Sequence, residues 1–181
     1  MIFGGGVSGV SSSNLKGTWA YAFTLDFVYN IDTPALNAST RYLAAAANKD
    51  YIVFAGGFTT ATSNTGSSST TAYNSSCTKV TISSLSTGRG RLSGAMVGDY
   101  ILFAGGNSGS SYKSTVDVYD NSLTKLTALS LSESKGVMAT ASTTKKAYFA
   151  GGITSSSHSK QVECFDTSLV KHAAPQLTTA L

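Results

Sequence analysis

The chain is poor in charge, in proline, in cysteine and in histidine, and each scarcity removes a class of protein. Charged residues make up 12% of the 181 positions, about half the usual share, and Ser, Thr, Gly and Ala fill the space instead. Two prolines and no sustained 3.6-residue apolar period argue against helices as the main element. No apolar run approaches the ~20 residues a membrane-spanning helix needs. The net charge of +4 comes from basic residues scattered singly, without the basic, aromatic-studded stripe of a nucleic-acid binder. The opening "MIFGGG" lacks the charged, apolar and cleavage regions of a signal peptide and reads as strand. A cytoplasmic or virion-associated setting is the expectation. Cys77 and Cys164 stand where sister segments carry aliphatic residues, so both read as buried small hydrophobes, with a disulfide between distant segments left open. Neither has a zinc-ligand spacing to His or acidic residues, and no cofactor is expected.

What the chain does have is repetition. "YILFAGG" (100–106) returns as "YIVFAGG" (51–57), "AYFAGG" (147–152) and "MIFGGG" (1–6). The marker residues Phe3, Phe54, Phe103 and Phe149 are 51, 49 and 46 residues apart, a period that suits one four-stranded unit each. Leu36, Leu85 and Leu131 each lie 18 residues before a marker, and Leu177 begins what reads as another copy. Downstream, "YNSSCTK" (73–79), "YDNSLTK" (119–125) and "FDTSLVK" (165–171) align without a gap, with "YAFTLDF" (21–27) as a degenerate fourth copy.

Four strand-length segments can be read within one unit. In the clearest copy, "LSGAMV" (92–97) is small-residued, and a "GD" turn leads to "YILFA" (100–104), apolar on both faces and so buried between layers. The third strand, "STVDVYD" (114–120), alternates, with Val116 and Val118 on one face and Asp117 and Tyr119 on the other. A "DNS" turn then delivers a fourth strand, "LTKLTAL" (123–129). The paired glycines (Gly5 and Gly6, Gly56 and Gly57, Gly105 and Gly106, Gly151 and Gly152) are expected to end the second strand where the chain turns close beside a neighbouring sheet. A phosphate-cradling loop would need a helix to follow, and a Ser/Thr-rich loop follows instead.

"YILFAGG", a dozen or so residues, then "VDVYD" resembles the kelch repeat, with its double glycine after the second strand and its aromatic on the third. The resemblance implies an all-β fold, a β-propeller of four-stranded antiparallel blades, four of them present: about 1–35, 36–84, 85–130 and 131–176, with 177–181 starting a further strand. One feature departs from the pattern: the usual Trp seven residues after the aromatic is replaced by Val80, Leu126 and His172. The repeats are similar to divergent bacterial and phage kelch-like repeats, so functions of animal kelch proteins transfer poorly. Such propellers generally close with about six or seven blades, and the first unit shows no strand before its marker. The expectation is an arc or fragment, with closure between two chains and a compact four-bladed ring as alternatives. Self-association through the end units is expected with it.

The loops after the second strand and those joining units emerge on one face in the resembled fold. They differ in length and sequence while the strands stay alike, as on a binding scaffold. The expected function is a non-catalytic module presenting these loops to a protein or glycan, as part of a larger surface or virion protein. Tyr112, Lys113, Arg89, Arg91 and Lys135 are the expected contacts, since aromatic and basic side chains contribute most to binding. The alternative is a sugar-acting enzyme like the kelch-type sialic acid mutarotases, with Arg89, Arg91 and Glu133 as the charges available to it. Asp117, Asp120, Glu163 and Asp166 recur at equivalent positions and read as turn formers and solvated strand edges. A copper centre of the galactose-oxidase type needs converging histidines, and His158 and His172 fall at different levels of one unit and read as surface residues.

Overall fold

The computed structural model describes residues 2–4, 18–23 and 28–180. Gly5, Gly6 and part of the 21–27 copy lie outside the described residues. All regular structure among the described residues is β. The first sheet has three antiparallel strands in chain order, β1 (Ile2–Gly4), β2 (Thr18–Phe23) and β3 (Val28–Asp32). The second is a four-stranded meander, β4 (Ala44–Ala47), β5 (Tyr51–Ala55), β6 (Thr70–Asn74) and β7 (Lys79–Val80). The third contains β8 (Ser93–Val97) and β9 (Tyr100–Ala104); a small hairpin, β10 (Asn107–Ser108) with β11 (Ser111–Tyr112), interrupts it before β12 (Thr115–Tyr119) and β13 (Leu129–Ser130). The fourth is β14 (Ala139–Ser142), β15 (Lys146–Ala150), β16 (Val162–Asp166) and β17 (Lys171–Ala174).

The three four-stranded sheets are in the same register. Phe54 faces Thr71, Phe103 faces Asp117, and Phe149 faces Glu163 across their second and third strands. Each marker ring also meets the next strand's aromatic edge-on, Phe54 with Tyr73, Phe103 with Tyr119 and Phe149 with Phe165, at centroid distances of 6.2, 6.3 and 6.1 Å.

Side-chain alternation divides the second strand between two cores, which is why "YILFA" is apolar throughout. Ile101 and Phe103 join Val53, Ala55 and Leu85 between the second and third sheets. Leu102 and Ala104 join Val116, Val118, Leu131 and Phe149 between the third and fourth. The first strands β4, β8 and β14 lie side by side, and their small residues allow it. A Cβ on Gly94 of β8 would come within 2.5 Å of the Ala45 carbonyl oxygen on β4.

Three expectations are corrected. The fourth strand of the third unit does not begin at Leu123: Asp120 Oδ1 accepts the backbone N–H groups of Ser122 and Thr124 at 2.8 and 2.9 Å, and Leu123 sits in the resulting turn at φ 60°. Only a bridge at Lys125 and the pair Leu129–Ser130 continue the ladder. Cys77, at the equivalent turn position with φ 59°, is partly exposed rather than buried; Cys164 is buried, and both are free thiols. Asp117 and Glu163 are not solvated edges but buried, because each stands opposite its marker phenylalanine on the face its sheet turns to the preceding one.

Candidate functional site

Two of the expected contacts lie inside the protein. Arg89 is 0% exposed, and its Nη2 meets Asp117 Oδ2 at 2.8 Å. Its remaining donors reach the carbonyls of Gly105 (2.7 Å), Phe103 (3.1 Å) and Thr87 (3.0 Å). Lys135 is equally buried, with Nζ 3.3 Å from Glu133 and 3.8 Å from Glu163. Arg89 and Lys135 both lie four residues after their anchor leucines, Leu85 and Leu131. After Leu36 the same place holds Thr40, and opposite Phe54 stands Thr71, both buried and uncharged. The third-strand residue also accepts the N–H after the anchor leucine in every case: Asn37 to Thr71, Ser86 to Asp117 and Ser132 to Glu163. Arg is thus matched by Asp, Lys by Glu and Thr by Thr, as a buried charge requires. Comparing the units with one another, rather than reading each strand alone, would have found this.

The paired glycines dock each sheet on the next. Gly105 and Gly106 have φ of 63° and 97°, and the Gly106 N–H donates to the Lys135 carbonyl at 2.9 Å. A Cβ on Gly105 would lie 2.3 Å from that same oxygen, and one on Gly106 would lie 2.6 Å from the Gly90 oxygen. Gly56 and Gly57 (71° and 99°), and Gly151 and Gly152 (65° and 101°), repeat the conformation.

A third recurring position faces outward. Tyr42, Arg91 and Val137 have φ of 55°, 54° and 57°. The Arg91 N–H donates to the Tyr42 carbonyl at 2.9 Å, and the Val137 N–H to the Arg91 carbonyl at 2.8 Å. This turn aims their side chains away from the core, leaving Tyr42 54% exposed. Two guanidinium groups lie over the same two rings: Arg41 is 5.1 Å from the centroid of Tyr42 and 5.2 Å from that of Phe58, and Arg91 is 5.3 and 5.6 Å away. Arg41 spends its donors on the carbonyls of Thr60 and Ser63 and on Asn64 Oδ1. Arg91 makes no hydrogen bond or ion pair to a described side chain or carbonyl through its guanidinium.

Arg91 also lines an open groove of about 490 Å³ between the β10–β11 hairpin and the 153–158 loop. Asn107, Tyr112, Ile153, Ser155 and His158 form much of the rest, and no carboxylate is among the lining residues. Asn107 is 2% exposed; its Nδ2 donates to the Gly109 carbonyl at 2.6 Å, while its Oδ1 is a buried acceptor with no partner among the described residues. On its other side Arg91 borders an apolar depression of about 290 Å³ with Tyr42, Leu43, Val137 and Met138. Of the expected contacts, the structure brings Arg91 and Tyr112 together at the groove. Lys113 is directed elsewhere, its Nζ held by Ser111 Oγ at 2.9 Å.

His172 is not among the groove's lining residues. On β17, it bonds Asp166 at 2.6 Å, and that bond holds the Asp166 carboxyl below its ordinary range. His158 is exposed on the groove's rim. The sequence matches no known protein-family model and no curated protein, so its site stands on this geometry alone.

Proposed function

We propose that this chain is a non-catalytic binding module, an arc of kelch-like propeller blades that presents its loops to a glycan or protein ligand. The side-by-side first strands and the glycine docking between successive sheets support the radial arrangement. The observation that carries the function is the groove at Arg91 and Tyr112: a guanidinium with no hydrogen bond or ion pair to a described residue, an aromatic ring and several hydroxyls converge there on a sheet frame. Glycoside hydrolysis would call for a pair of carboxylates facing the ligand, and the groove's lining offers none.

The test is a screen of the purified chain against a glycan panel and a panel of surface proteins, with product analysis, repeated with Tyr112→Ala. Saturable binding without product, weakened by the substitution, is the expected result. Turnover of a sugar that Arg91→Gln abolishes would instead establish an enzyme.

A further inference from the structure

Resting on the binding-module reading, we infer that the groove takes a carboxylate-bearing saccharide, with Arg91 as the anchor for the carboxylate. Two independent features point to that chemistry. The first is the contrast between the two guanidinium groups stacked on Tyr42 and Phe58. Arg41 is consumed by internal carbonyls, whereas Arg91, held over the same rings, keeps its forked donors for an outside acceptor. A planar fork of this kind matches a carboxylate bidentately, and stacking fixes its orientation before the ligand arrives. With no carboxylate in the groove's lining, nothing there competes with an anionic ligand for it.

The second feature is Asn107. Its buried Oδ1 lacks a donor among the described residues, and a native interior rarely leaves an acceptor in that state. A small turn of the Asn107 amide into the groove it lines would let a ligand hydroxyl satisfy it. Around these two groups lie the Tyr112 ring, a surface for the apolar face of a sugar, and the hydroxyls and imidazole of Ser110, Ser155 and His158. An anion with no hydroxyls would leave most of that lining unused, and a neutral sugar would leave Arg91 unused. A sugar acid uses both.

The experiment is calorimetric titration of the chain with a uronic-acid tetrasaccharide and with its carboxyl-reduced, neutral counterpart, at low and high salt. Binding of the acid at least tenfold tighter than the neutral form, weakened by salt, is expected. Arg91→Gln should remove that preference, Arg91→Lys should restore part of it, and Lys145→Gln, an equal charge change at an exposed hairpin, should leave it intact. Thermal melting of each variant separates loss of binding from loss of fold. Equal affinity for both saccharides, unchanged by Arg91→Gln, would overturn the inference while leaving a glycan-binding module standing. Binding of neither saccharide overturns it too, and a protein ligand found in the wider screen would then still uphold the module.

Discussion

Arg89 and Asp117 meet at 2.8 Å in the interior of the third sheet's surroundings, with 0% and 1% of their side chains exposed. They tie the segment joining the second and third sheets to the middle of β12. The pair occupies the place of Thr40 and Thr71 one sheet earlier and of Lys135 and Glu163 one sheet later. Its charges are compensated in full, since Arg89 also donates to three carbonyls and Asp117 accepts the Ser86 N–H. Removing one partner strands the other.

Asp117→Ala is therefore expected to destabilise the fold by about 3–5 kcal/mol, the usual result of leaving a buried charge unpaired. The double substitution Arg89→Thr with Asp117→Thr, which imports the uncharged solution of the second sheet, should recover a large part of that loss. Urea unfolding of Arg89→Thr, Asp117→Thr and the double closes the cycle. Additive losses in the double would show that the two residues do not act as a unit.

Gly106→Val should cost roughly 1–3 kcal/mol through strain at a left-handed position. Its Cβ would meet backbone at 2.6 Å, and a carbonyl cannot swing aside as a flexible side chain can. An unchanged melting temperature would contradict the docking role of the glycine.

Leu131 is buried between the third and fourth sheets, and its N–H donates to the Ser114 carbonyl at 2.8 Å. Leu131→Ala should destabilise by about 2–5 kcal/mol, from lost burial plus the cavity left behind. The equivalent Leu85→Ala should behave alike, because it fills the corresponding place one sheet earlier. A denaturation midpoint within error of the parent for both would refute the anchor role.

Asp166 is held below the ordinary carboxylate range first by its bond to His172, then by the N–H groups of Val170 and Ser168. A depressed folded-state value means that the stability it contributes is present at neutral pH and is lost as pH falls through that value. In His172→Phe the carboxyl resonance of Asp166 should titrate closer to its usual 3.8, read by NMR. An unmoved titration would assign the shift to the turn amides alone.

Much of the strand pattern was legible in the residues themselves. "YILFA" is apolar on both faces and ends at glycines, and β9 spans Tyr100–Ala104 before two left-handed glycines. Asp117 was misread for a physical reason. In a strand taken alone, alternation assigns a lone acid to the solvent face, and only a second covering sheet turns that face into an interior.

The repeat period, the order of strands within each unit and the turn-forming acids Asp120 and Asp166 follow from the sequence by itself, because they depend on local backbone preferences and alternation. The fates of Arg89 and Arg91 do not. Two arginines separated by one glycine have similar local chemistry, yet one is buried against Asp117 and the other opens onto the groove. That division is tertiary: the carbonyl ladder from Tyr42 through Arg91 to Val137 holds Arg91 at φ 54° and turns its side chain outward, while the neighbouring sheet closes over Arg89. Long-range hydrogen bonds between sheets set both directions, and no local propensity encodes them.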